Sequence, residues 1–133
     1  MLYVDSPLSP EIEVVMTSIL DCAFAVHREL GPGFKERIYH TAMCLELDSR
    51  GIPFESEKVI EVKYRDWTIP GQRLDLLVAG AVVVEVKAIP DLKPLHGRQV
   101  VSYLKAAGLQ AGLLLNFNTT YLKMGIRRVV RTG

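Results

Sequence analysis

Three charged residues interrupt strand-like apolar runs. Asp75 lies in Leu74-Asp75-Leu76-Leu77-Val78, and Glu85 and Lys87 lie in Val82-Val83-Val84-Glu85-Val86-Lys87. Residues two apart on a strand leave the same face, so Glu85 and Lys87 are neighbours there, and Val82, Val84 and Val86 take the other face. If the connection between the runs is Ala79-Gly80-Ala81, Asp75 falls opposite Glu85. A two-residue connection turns Asp75 to the opposite face, unless a bulge nearby restores the match. Carboxylates at cross-strand distance repel unless a cation lies between them. Mg²⁺ or Mn²⁺ suits such a pair, because a hard divalent ion accepts one or two carboxylates and keeps several waters. Lys87 beside it could orient a water and stabilise charge on a phosphate. The chemistry this arrangement supports is phosphodiester hydrolysis by a metal-activated water. The competing reading makes all three solvated charges on an exposed sheet face.

The elements that must position these residues follow from periodicity. Ser9 is a good N-cap, with Pro10 at the first helical position and Glu11 and Glu13 near the positive end of the dipole. Ile12, Val15, Ile19, Cys22/Ala23, Val26 and Leu30 then form one apolar stripe, which Gly31-Pro32-Gly33 ends. A second helix is predicted over 35–50, with Ile38, Ala42 and Leu45 in one row and Tyr39, Met43 and Leu47 beside it. Period two begins at Lys58–Tyr64 and Arg65-Asp66 reads as a turn. Trp67–Ile69 is a short strand before Pro70-Gly71, and the hairpin 73–88 carries the three charges. A third helix is predicted over 95–107, a buried strand over 110–117 and a last strand over 126–130. Asn116, Asn118 and two threonines mark a turn between these strands. The order implies a layered α/β (α+β) domain with a central mixed sheet flanked by helices.

With 133 residues, 49% apolar and 23% charged, the chain is one globular domain over 1–133, with residues 1–8 as a loose arm. A net charge of +1 gives no strong overall field for nucleic acid, so a phosphate-binding surface must come from local clustering. Cys22 and Cys44 match no metal or redox spacing and read as reduced thiols. There is no basic leader and no apolar run long enough to span a bilayer, so a soluble, cytoplasmic protein is expected.

Asp75-x9-Glu85-Val86-Lys87 resembles the PD-(D/E)xK nuclease signature. Gly33-Phe34-Lys35-Glu36-Arg37-Ile38-Tyr39 also fits the GxxExxY motif of a family of small bacterial proteins in that superfamily. The text VHRELGPGF, LDLLV, VVVEVKA, QVVSYLKAAGL, GLLLNF and GIRRVV is similar to the same family, over about residues 12–130. The resemblance implies a restriction-endonuclease-like core and a Mg²⁺- or Mn²⁺-dependent nuclease acting on DNA. It implies Asp75 and Glu85 as metal ligands, Lys87 as the catalytic lysine and Glu36 as an acid reaching the same metal from a helix. By the same resemblance Gln99 and Tyr103 on the third helix, with Arg73 and Tyr39, are candidates for substrate contact. The chain has Gln72-Arg73 where that family is expected to carry an aromatic-arginine pair, and Leu74 in place of the signature proline.

Plainer roles stand beside these. A carboxylate at Glu36 is favoured by the helix dipole alone, Tyr39 is a natural packing aromatic, and Gln99 and Tyr103 fit ordinary helix positions. His27, His40 and His96 lack partners at metal-ligand spacing and read as structural. Two basic clusters, Lys93/Arg98/Lys105 and Lys123/Arg127/Arg128/Arg131, could meet phosphates or simply be solvated. The functional alternatives are a catalytically inactive nuclease-fold module binding nucleic acid or a protein partner, and a phosphoesterase for small nucleotides. So small a domain has little surface to grip a duplex, which makes a homodimer or a larger complex an expectation in either main case.

Overall fold

A computed structural model describes residues 7–132. Helix α1 spans Pro10–Leu30, α2 Glu36–Ser49 and α3 Pro94–Ala107. The strands are β1 (Phe54–Tyr64), β2 (Trp67–Val78), β3 (Val82–Lys87), β4 (Ala111–Asn116) and β5 (Ile126–Val130). They form one mixed sheet in the order β1-β2-β3-β4-β5. Only β3 and β4 are parallel, and α3 makes the crossover between them. Because β3 and β4 are covered on both faces, they read as nearly continuous apolar runs, as parallel strands do.

Two cores lie on opposite faces of the sheet. On one face α1 and α2 bury Ile19, Val26, Tyr39, Met43 and Leu47 against Leu76, Val84, Val86 and Leu113. On the other, Val100 and Leu104 of α3 pack on Leu74, Val83 and Leu114. The α1 start is as expected: Ser9 Oγ accepts from Ile12 N–H at 3.2 Å, and Pro10 follows. Gly31 closes the helix at φ 67°, a conformation that favours glycine.

Three expectations need correction. Residues 1–6 of the expected arm lie outside the described residues, but Leu8 is buried and packs into the α1–α2 core. In α2 the row Tyr39, Met43, Leu47 is buried, whereas Ile38 and Leu45 are 45% and 68% exposed. Pro70-Gly71 does not divide two strands, because β2 runs through it. A one-residue register shift between Ile60 and Val62 of β1 absorbs the irregularity. In that stretch β2 pairs only with β1, so the missing proline N–H deprives no other strand of a donor.

Candidate active site

The β2–β3 ladder begins at Val78↔Val82 after the three-residue connection 79–81 and ends at Leu76↔Val84. Continuing the same count sets Asp75 against Glu85, as the three-residue connection requires. At that point, however, β2 leaves β3. The Asp75 carboxylate replaces the backbone partner: Val86 N–H donates to its Oδ2 at 2.8 Å. The β3–β4 ladder meanwhile continues to Lys87↔Asn116. The sheet therefore opens as a wedge between β2 and β3, with Asp75 on one wall and Glu85 and Lys87 on the other.

The opening has a cause in β1 and β2. Leu76 and Val78 face the α1–α2 core, but Leu74 packs in the α3 core. The strand thus changes face through Asp75. Across the ladder, Glu57 is skipped between the pairs Ser56↔Leu76 and Lys58↔Leu74, and its φ is 53°. A left-handed conformation in a non-glycine residue beside a site is backbone strain at a place where function is expected.

Glu85 is 5% exposed, and its Oε1 has no hydrogen-bond partner. Burial, followed by hydrogen bonding with and charge repulsion from Asp75, pushes its pKa up to about 9, against a smaller opposing effect of Lys87. The reading of Glu85 as a solvated surface acid is thereby excluded. Glu36 is the first residue of α2 and lines a cleft of about 600 Å³ together with Asp75, Arg37, His40, Ser56 and Glu57. Partial burial and the charge of Asp75 raise the Glu36 carboxyl pKa, while Lys87 and His40 oppose the shift. On the α3 side, burial and then the charge of Glu85 raise the Tyr103 phenol, and a hydrogen bond with Gln72 opposes that rise.

The candidate residues thus divide. Asp75, Glu85, Lys87, Glu36 and Tyr103 influence one another electrostatically around the wedge. Gln99 is half-buried one turn before Tyr103 on α3, and Arg73 is exposed on β2. Tyr39 does not face a substrate. It is fully buried, stacks on Phe117 with 4.8 Å between centroids, donates its hydroxyl to Gly31 O at 2.6 Å and accepts from Phe34 N–H at 3.1 Å. Its role is to tie the turn between α1 and α2, which sets where Glu36 begins.

Two supports went unnoticed in the sequence. Asn116, read as a turn residue, is the buried end of β4. Its amide accepts from Ile89 N–H at 3.0 Å and donates to Ile89 O at 2.9 Å, fixing the chain just after Lys87. Gly125 must be glycine here, because a Cβ would stand 2.1 Å from Asn116 O. The second is Gln72, whose partner Tyr103 lies on another element. An asparagine following an apolar strand, with glycine nine residues on, is the only sequence trace of the first.

The histidines are structural or peripheral. His27 Nε2 lies 2.8 Å from Thr119 O, His40 Nε2 lies 2.7 Å from Ser56 Oγ, and His96 Nδ1 accepts from Lys93 N–H at the start of α3. Among the described residues, no three His, Cys, Asp or Glu side chains gather as a ready metal cage. The set nonetheless fits a hard divalent cation, which needs only one or two carboxylates and completes its shell with water. The unpartnered Oε1 of Glu85 beside the Asp75 carboxylate is the sign of that fit.

No curated protein and no solved structure matches the chain. Among the described residues, no helix is long and apolar enough to cross a membrane. The pattern of the PD-(D/E)XK nuclease superfamily matches residues 13–129, which takes in every strand but the last residue of β5 and all but the first turn of α1. With its mixed sheet, its flanking helices and an acid–acid–lysine wedge where β2 parts from β3, the chain belongs to the PD-(D/E)XK nuclease superfamily.

Proposed function

We propose that the chain is a Mg²⁺- or Mn²⁺-dependent nuclease that hydrolyses phosphodiester bonds in DNA, and that it belongs to the GxxExxY group on the strength of Gly33–Tyr39. The observation that carries the reading is Glu85, a buried carboxyl with an unpartnered oxygen beside Asp75 and Lys87. Removing this carboxyl from water is costly unless a cation or proton neutralises it.

Asp75 and Glu85 would hold the cation, with Glu36 the next carboxylate from α2. When bound, the cation supplies positive charge against the phosphate and makes a water acidic enough to attack near neutral pH. The residues themselves do the rest. Asp75 accepts from the Val86 N–H through Oδ2, which orients the carboxylate that would help hold the cation. Glu85 must lose its proton on binding. Lys87 orients the attacking water and holds negative charge that develops on the phosphate. Tyr103, with Gln72, forms the wall on the α3 side. The free thiols Cys22 and Cys44 fit a reducing, cytoplasmic setting, and a homodimer would enlarge the surface available for DNA.

The net charge of only +1 and the short chain favour one second reading, a nuclease fold serving as a non-catalytic nucleic-acid or protein module. Labelled DNA panels with Mn²⁺ separate the two. Cleavage that disappears in both Asp75→Asn and Lys87→Ala supports the nuclease, and wild type without cleavage under any metal supports the module.

A further inference from the structure

Hydrolysis at the wedge makes no use of the outer half of the β1–β2 ribbon. β2 pairs with β3 only from Leu76 to Val78, so residues 59–73 form a two-stranded ribbon without a third strand. Such a ribbon is marginal by itself. Even so, its tip displays apolar rings rather than polar groups. Tyr64 and Trp67 face each other across the Arg65-Asp66 turn and are 54% and 63% exposed. Their rings stack with centroids 6.2 Å apart and planes 19° apart, and the Arg65 guanidinium lies 5.4 Å from the Tyr64 centroid. Exposed Val62 and Ile69 form the adjoining cross-strand pair. Apolar surface gathered on a solvent-facing tip marks a contact surface.

Aromatic faces beside cations identify the partner. Residues 59–73 contain Lys63, Arg65 and Arg73 against Glu61 and Asp66, a net +1. None of these three cations is in an ion pair among the described residues, and the Lys63 ammonium rests on the Thr68 hydroxyl at 2.7 Å. Arg127 and Arg128 at the carboxyl end differ. Arg128 grips Glu13 at 2.6 and 2.9 Å, and Arg127 donates to Met124 O and Ile126 O. A flat aromatic stack flanked by available cations is complementary to a polyanion with exposed π-faces, which is a nucleic acid with unpaired bases. The spacing is also informative. From Trp67 to Asp75, β2 covers roughly 26 Å at about 3.3 Å per residue, which sets the separation of the tip from the wedge.

We infer that the Tyr64–Arg65–Trp67 tip is a stacking platform for an unpaired base of the strand whose phosphate enters the Asp75–Glu85–Lys87 wedge, which makes single-stranded or overhanging DNA the substrate class. The distance between platform and cleavage point rests on the nuclease reading of the wedge, whereas binding at the tip does not. Duplex bases offer free faces only at the ends, so a blunt duplex is the poorer ligand.

Trp67 is the only tryptophan, so its emission reports the tip directly. Full-length protein in EDTA is titrated with a single-stranded oligonucleotide and with the blunt duplex of the same sequence. The single strand is expected to quench Trp67 and to bind at least ~10-fold tighter. By anisotropy, Trp67→Ala weakens it by about 5- to 100-fold, and Trp67→Phe recovers most of the loss. Arg65→Ala reduces the salt slope by about 0.7, the share of one phosphate on a single strand. The inference is overturned if saturating DNA leaves the emission unchanged. It is also overturned if Trp67→Ala, with a wild-type melting curve, binds as wild type, or if the tip mediates a dimer that Trp67→Ala dissociates. The two readings fail separately. Quenching without Mn²⁺-dependent cleavage leaves the platform standing and removes the nuclease, whereas Asp75-dependent cleavage unaffected by Trp67→Ala removes only the platform.

Discussion

The inner half of the hairpin and the outer half of the ribbon break the strand pattern in opposite directions. At β3 every residue from Val82 to Val86 is buried, and a carboxyl, Glu85, stands where an aliphatic side chain belongs. At the ribbon every residue from 61 to 71 is exposed, and Tyr64, Trp67 and Ile69 stand where polar side chains belong. A misplaced charge in a core raises free energy by desolvation and is relieved by a cation or a proton. A misplaced aromatic in water is relieved by a partner. The first kind of violation accordingly points to chemistry and the second to binding.

The largest effect that sharpens this contrast is on turnover. Lys87→Ala is expected to lower the cleavage rate by about 10³-fold, in the range of lost transition-state charge stabilisation. Single-turnover kinetics should show this with little change in DNA affinity. A drop in affinity with an unchanged rate would move Lys87 from the chemistry to binding.

The next effect is on pH-dependent stability without divalent metal. The Glu85 pKa is raised by folding from 4.5 to about 9, so the folded state favours the protonated form. Its contribution is fully present below about 4.5 and is lost as pH rises toward about 9. Melting temperature of wild type in EDTA should therefore fall across that window. Glu85→Gln should flatten the fall and melt higher at its alkaline end, and Mn²⁺ should raise the melting temperature of wild type but not of Glu85→Gln. A wild-type curve as flat as that of the variant would mean that Glu85 reaches solvent.

A smaller effect tests the frame of the inner half. Asn116→Ala leaves the Ile89 N–H and C=O without their partner, at a cost of about 2–4 kcal/mol by denaturant unfolding. Because Ile89 follows Lys87 closely, cleavage should fall as well. The smallest effect separates packing from substrate contact. Tyr39→Phe loses two hydrogen bonds at the α1–α2 turn and should cost about 1–2 kcal/mol of stability. DNA affinity should be unchanged, and a selective loss of affinity would restore Tyr39 as a substrate residue.

How much of this was legible in the sequence depends on whether the cause was local. The charges at 75, 85 and 87 stood out because apolar neighbours surrounded them, leucines at Asp75 and valines at Glu85, and the connection 79–81 set their register. The helix caps at Ser9 and Gly31 were equally local. The wedge was not legible, since it arises where β2 stops pairing with β3 and turns through Asp75 opposite the strained Glu57. The buried face of α2 was ambiguous because apolar residues occupy two rows, and only packing against α1 and the sheet selects Tyr39, Met43 and Leu47. Asn116 looked like a turn former, and its partner Ile89 is 27 residues away. Leu8 looked like part of an arm because one leucine beside two prolines carries no period.

The most direct test of the central claim is calorimetric titration of Mn²⁺ into wild type, Asp75→Asn and Glu85→Gln at pH 7, in buffers of different ionisation enthalpy. A cation that displaces the proton of Glu85 should bind wild type with proton release, and both variants should lose that binding. Absence of binding to wild type, or binding that persists unchanged in Asp75→Asn, would contradict the assignment of the wedge as a metal-dependent site.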